Sequence, residues 1–596
     1  MMRFFTGLAL VFLMFFCPSP VLRAGTFEVE SRAELNRLMV ELRAQQFLTH
    51  ATFGPKDTDV QALADRMMQI GVRRAASEWI DTQFQLPAST HQQLAEDMVA
   101  ADGFETTQAS INVARYRYHA WWHNAVTAED QLRQRVAWAL MQICVVGESG
   151  SNFNNRAAGK LGKGRWLGLS NYYDMLLNNS FNNYRDVLGD VTFHPIMGVW
   201  LSHLRNQKQD ASQNIFPDEN YAREILQLFS IGLYRLNTDG TFQRNPSGDL
   251  IPTYDNTEIE TFARLFTGLT YNQSNSLRSG TVNFQEPMMM FDEFHDQDPK
   301  QVFLGQTLPG GVGGVADINA GLDNIMNHPS AGPFIVRRLI QRLVRSNPSK
   351  GYMRRVVRKF NNNGQGVKGD MKAVLKAILL DQEAWDGIRM VRRANPWRLE
   401  VTGRGTERSR LSEPVVLYAS FIRRYGSTDN PNGYFLMNKL NFNWAQAPYA
   451  SPSVFNFYLP DFQPAGDIKE YQASRRIPER TIYAPEFQIL DGVFANRTPN
   501  RFRADVINEE LVHTNLNNST AVIRTTISYD FSAEKALVSD SAALVAHLDA
   551  KLCCGTMSNA TRQALVETLN LTTNETNRFR VAMIGVLTSP AYSIAE

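Results

Sequence analysis

The sequence predicts a mainly α-helical protein, a multi-helix globular bundle with long loops and one minor β-hairpin. Three observations carry that reading. Apolar residues recur at helical spacing in several long stretches, strand signals are confined to one short region, and the connecting segments are rich in Gly, Asn, Ser and Pro. Residues 31–48 place Leu35, Leu38, Met39, Leu42 and Phe47 on one side, with Ser31 suited to cap the first turn. Residues 129–146 do the same through Leu132, Val136, Ala139, Leu140 and Ile143, and 333–345, 370–381, 540–552 and 559–570 behave alike. The hairpin is predicted where Leu233–Leu236 meets Asn237-Thr238-Asp239-Gly240 and then Thr241-Phe242, because Asp-Gly suits a tight turn. Long loops are expected at 148–165, 237–256, 272–316 and 426–434.

The first 25 residues differ from the rest. Arg3 precedes the apolar run Gly7–Phe16, and small residues follow at Ala24-Gly25, the pattern of a cleavable secretory leader. The run is short for a membrane span. Cys17 lacks the small residues before it that a lipid anchor would require. A main helical domain over 26–470 and a C-terminal extension with its own helical region over 471–596 are expected, in a periplasmic or extracellular protein with no later membrane span. Removing the leader leaves Cys144, Cys553 and Cys554, which is no disulfide framework. With 61 basic and 59 acidic side chains the chain has no general field for a polyanion, so nucleic acid is a poor partner.

Chemistry has few places to sit. The richest stretch is Pro217–Phe229, where Pro217 suits a first helical position and Glu219 and Arg223 are spaced to pair. Asn220, Glu224 and Gln227 share a polar face beside the apolar Tyr221, Ile225, Leu228 and Phe229, so Glu224 is a candidate acid or base positioned by Arg223. A buried, hydrogen-bonded acid at a helix start would look the same. His194-Pro195 is expected to open a helix running to Asn206, with His194 able to face Glu224 and His203 on the opposite side. His119 and His123 are four apart and share a helical face, but no third metal ligand accompanies them. His295-Asp296-Gln297-Asp298-Pro299-Lys300 lies in the longest loop and offers an imidazole, two carboxylates and an amine for proton transfer or for a cation. If a divalent metal is present, His295, Asp296, Asp298 and Glu219 are its candidate ligands; no nucleotide or redox cofactor is indicated. Gly310–Gly314 lacks a phosphate-loop ending, and no Gly-x-Ser-x-Gly elbow appears.

Several stretches taken together resemble the domain-of-unknown-function 1800 family (DUF1800) of exported bacterial proteins. They are Phe47–Pro55, Asp130–Ala137, His194–Gly198, Pro217–Glu224, Ala263–Gly268, Ser346–Ser349, Pro452–Tyr458 and Ala484–Phe487. The resemblance implies a fold and an export route rather than a reaction. It also implies a partner, because members look paired with an exported sulfatase-like family. Some branches carry a Trp-x-x-His-type motif where this chain has Trp138-Ala139-Leu140-Met141-Gln142, so no metal mechanism through that histidine is carried over. Two readings follow. One is a binding or assembly protein acting with a secreted partner. The other is a hydrolase-type enzyme, metal-dependent or not, acting on an envelope or extracellular polymer through Glu224, Arg223, His194 and His295.

Overall fold

A computed structural model describes residues 25–108, 113–150, 153–394, 397–403, 409–440, 445–466, 482–516 and 522–595. The expected leader therefore lies outside the described residues except for Gly25. Helices form where the apolar stripes predict them. Arg32–Ala51 starts on Ser31, whose hydroxyl accepts from the Glu34 amide, and buries Leu35, Leu42, Phe47 and Leu48. Gln131–Met141, Ala331–Leu343, Met371–Leu379, Ser541–Cys553 and Asn559–Asn570 match the other stripes. Among the described residues no helix is long and apolar enough to cross a membrane.

These helices share a core that runs without a break from Val40 to Tyr592. Trp121 is its aromatic hub, edge-on to Phe53, Trp122 and Trp138 with ring centroids 5.2 Å away in each case. Gly54 lets the first helices close on the later ones. It sits at φ +109°, and a Cβ there would fall 2.1 Å from the Ser420 hydroxyl, so only glycine fits this crossing. Its carbonyl then accepts from Arg423 Nε at 2.6 Å.

The hairpin is present. Leu236 faces Phe242, the Asn237 amide donates to the Thr241 carbonyl at 2.8 Å, and Gly240 takes φ +79°. Pairing extends further, through Arg244↔Leu250 and Tyr234↔Pro252. Two three-stranded antiparallel sheets were not foreseen. One joins Gly25–Glu28, Arg398–Gly403 and Ile388–Arg393; the other joins Glu510–Leu516, Val522–Tyr529 and Gly426–Thr428. The long strands of the second sheet fall in a polar stretch, yet Val512, Val522, Ile523, Thr525, Thr526 and Ile527 are β-branched and suit a pleat. Short strands that mix arginines with Val and Ile give too little alternation to be told from loop.

Two helices near the sequence candidates differ from expectation. The helix after His194 covers only Pro195–Trp200, so His203 is not on it. The helix after Pro217 begins at Asn220, three residues later than expected, and after Glu224 it widens into a π-helical segment, Ile225–Ser230. The extra residue per turn rotates Leu226 into the core and breaks the regular face assumed for Gln227.

Candidate functional site

The sequence candidates fall into three separate networks. In the first, Arg223 pairs with Glu219 at 3.2 Å, both side chains well exposed. Glu224 beside them is only 7 % exposed, and its Oε2 is buried without a hydrogen-bond partner. Burial raises its carboxyl above the usual range against the pull of Arg223. The Tyr254 phenol lies in its field, likewise without a partner, and is raised first by burial and then by Glu224. The π-helical turn begins at the next residue, a feature common at functional sites.

In the second network His194 caps its helix. Its Nδ1 accepts from the Ile196 amide at 3.2 Å, which leaves Nε2–H to donate to Asn171 Oδ1 at 3.0 Å. Tyr172 meets the ring edge-on, and burial drives the imidazole down to about 3, so the ring is neutral. His203 packs flat on Tyr221 with centroids 3.9 Å apart.

The third network surrounds His295. Nδ1 lies 3.0 Å from the Thr267 carbonyl and Nε2 lies 3.1 Å from Asp317 Oδ2. Lys300, equally buried, reaches the same Asp317 oxygen at 2.7 Å and donates to the carbonyls of Asp296 and Asp298. Asp296 accepts two bonds from Arg264, both at 2.8 Å; these and Lys300 hold its carboxyl low despite the opposing effect of burial. The Asp298 side chain is 88 % exposed and reaches Arg264 only at 4.0 Å. Gly268 makes the cluster possible, since at φ +90° a Cβ would meet Met290 Sδ at 2.7 Å and the Phe291 carbonyl at 2.8 Å. Lys300 and Arg264 thus stand where a metal ion would neutralise these carboxylates. Among the described residues no group of three or more His, Cys, Asp and Glu side chains is placed to hold a metal. Asp317 was missed because 272–316 read as one long loop, whereas a helix starts at Gly314 and carries Asp317 in its first turn.

The imidazoles of His119 and His123 diverge. His119 Nδ1 meets the Met437 carbonyl at 2.7 Å, and His123 Nδ1 accepts from the Phe435 amide.

A fourth cluster, unforeseen, is the most highly charged buried centre of those described here. Glu413 is fully buried; its Oε2 accepts from Trp138 Nε1 at 2.9 Å and from Gln142 and Gln446, each at 2.8 Å. Its Oε1 faces Arg135 at 3.4 Å and Arg410 at 4.0 Å. Burial alone would raise this carboxyl, but Arg135, Arg410 and Arg342 hold it below the usual range. Arg135, Trp138 and Gln142 are three and four residues apart and so share one helical face. Glu486 lies in the same field with the opposite outcome. Burial pushes its carboxyl up to about 7 against Arg410 and Arg342, and its Oε2 has no partner. The Arg342 guanidinium lies 4.3 Å from the Tyr458 ring centroid. His50 is held near 3 by burial and by the charges of Arg410, Arg345 and Arg135.

The family described as protein of unknown function (DUF1800) matches residues 46–594. The chain belongs to the DUF1800 family. No curated protein and no solved structure matches it. Four of the stretches that carry the DUF1800 resemblance contribute to this fourth cluster or its edge: His50, Arg135, Tyr458 and Glu486 each come from a different one.

Proposed function

We propose that this DUF1800 protein is an exported binding or assembly protein, working in the periplasm or outside the cell with a secreted, sulfatase-like partner. The observation that carries this reading is an open groove beside the hairpin, with a volume of about 610 Å³, lined by Arg235, Gln243, Glu258, Phe303 and Leu304 among others. Leu304 is 62 % exposed and held at φ +63°, a strained conformation for a leucine and one that clusters at ligand clamps. On the hairpin Tyr234 and Phe242 are exposed and meet edge-on, beside exposed Leu233. By contrast, most of the ionisable candidates are engaged internally, which suits architecture.

Exposed aromatics beside a groove are the usual anchors of a protein interface. The double variant Tyr234→Ala, Leu304→Ala is therefore expected to weaken binding to a purified sulfatase-like partner by about thirtyfold, the equivalent of about 2 kcal/mol. Interferometry measures it, with an unchanged melting temperature as control. A parent protein without affinity for that partner, or a variant that binds as well as the parent, sinks the reading.

One observation favours the hydrolase-type reading: Glu224, raised and with an unpartnered oxygen, beside the π-helical turn. If the protein turns over an envelope polymer, Glu224→Gln should lower kcat by 10²–10⁴ while circular dichroism stays unchanged. Turnover that persists in Glu224→Gln removes Glu224 as the acid or base.

A further inference from the structure

The centre around Glu413 is out of balance. Three guanidinium groups, Arg135, Arg342 and Arg410, surround a single carboxylate held ionised, all removed from water. Arg345 nearby is compensated separately, by Glu383 at 3.2 Å and Asp386 at 3.6 Å. Buried positive charge in excess is costly unless an anion meets it. The donors for such an anion are present. Nε and Nη1 of Arg135, Nε and Nη1 of Arg410 and the Tyr458 hydroxyl are all buried and lack hydrogen-bond partners, as does Glu486 Oε2. So many unmet buried donors at one place require an explanation, since such groups are nearly always bonded to protein, water or ligand.

We propose that this centre binds one small oxyanion, gripped by Arg135 and Arg410, with Tyr458 donating to it and the carboxyl of Glu486 facing it. Guanidinium forks suit the paired oxygens of carboxylate, phosphate or sulfate. Glu413 is the counter-charge that keeps the arginines in place, and its three amide and indole donors leave it no free acceptor position on Oε2.

Glu486 makes binding depend on pH. The groups facing it are Arg410, Arg342 and Glu413, and its carboxyl titrates at about 7. Protonated, it donates to the anion; ionised, it repels it. Binding should therefore be about eightfold tighter at pH 6.5 than at pH 8, the ratio of protonated fractions at those two values.

The test is calorimetric titration of the purified full chain, at constant ionic strength, with acetate, inorganic phosphate, sulfate and glycerol phosphate. One of the free anions should bind with 1:1 stoichiometry and raise the melting temperature. Tyr458→Phe, which loses one donor and keeps its ring, should weaken that binding about tenfold. For acetate or sulfate, whose charge is constant over this range, Glu486→Gln should bind equally at the two pH values. Glycerol phosphate binding as well would keep the site and assign the anion to a larger molecule. Absence of saturable binding by every anion tested means that the donors hold buried water only, and overturns the proposal. Equal affinity in Tyr458→Phe overturns it too.

Discussion

Lowering the pH from 6.5 is expected to unfold this protein cooperatively, with a midpoint near pH 5. The rings of His50, His91, His119, His123, His194, His203, His328 and His513 are held down to about 3 or 4, each chiefly by burial. A lowered folded-state value means that the stability is intact above the unfolded value near 6.5 and is lost as pH falls toward the folded one. In that window the unfolded chain takes up a proton on each ring while the folded chain does not. Buried carboxyls act in the opposite sense. Asp174 and Glu486 are pushed up to about 7 and Asp549 to about 6, and Glu224, Asp102 and Asp505 are also raised, all by burial, so they favour the folded chain at low pH and oppose it as pH rises. Eight rings against these carboxyls leave at most about five extra protons on the unfolded chain near pH 5.5. At roughly 1.4 kcal/mol per proton per pH unit the slope is at most about 7 kcal/mol per unit, comparable with the whole net stability of an ordinary domain. Tryptophan fluorescence followed from pH 8 to 4 measures this directly, since Trp121, Trp122 and Trp138 sit in the core. A chain still folded at pH 4 would mean that these rings reach water far more readily than their burial indicates.

Glu413→Ala carries the second large effect, a loss of about 3–5 kcal/mol. The substitution removes one charge, yet the cost comes from what stays behind. Arg135 and Arg410 lose their carboxylate while buried, and Trp138, Gln142 and Gln446 lose the acceptor they share. Trp138→Phe is the calibrating comparison, since it removes a single donor and should cost nearer 1 kcal/mol, apart from any change in packing. Urea unfolding of both variants gives the two numbers. An alanine variant within 1 kcal/mol of the parent would show that Glu413 is not what neutralises the arginines.

The helices were readable because each stripe is local: Leu132, Val136 and Leu140 announce their helix without help from the rest of the chain. Local signals also explain the errors. At Glu224 a regular 3.6-residue repeat was assumed, and the π-helical segment that follows exists because the surrounding core accepts Leu226 and Phe229 together. His194 and His295 looked alike as isolated histidines, but one is a helix cap and the other bridges Thr267 and Asp317. The Glu413 centre was illegible for a different reason. It is assembled from positions as distant as His50 and Glu486, and Glu413 itself reads as the ordinary residue before Pro414 at a helix start. Only the Arg135, Trp138 and Gln142 face, polar within an apolar helix, gave a local hint.

The two ends of the chain are stitched into the same body. Ile594–Ala595 pairs with Arg410–Leu411, Arg562 holds the Thr26 carbonyl at 2.9 Å, and Gln45 donates to the Lys551 carbonyl. Contacts that join residues some five hundred positions apart form late, because loop closure must precede them. A growing polypeptide of this sequence therefore has no finished interior until nearly its last helix has emerged. Until then its apolar stripes stay open to solvent.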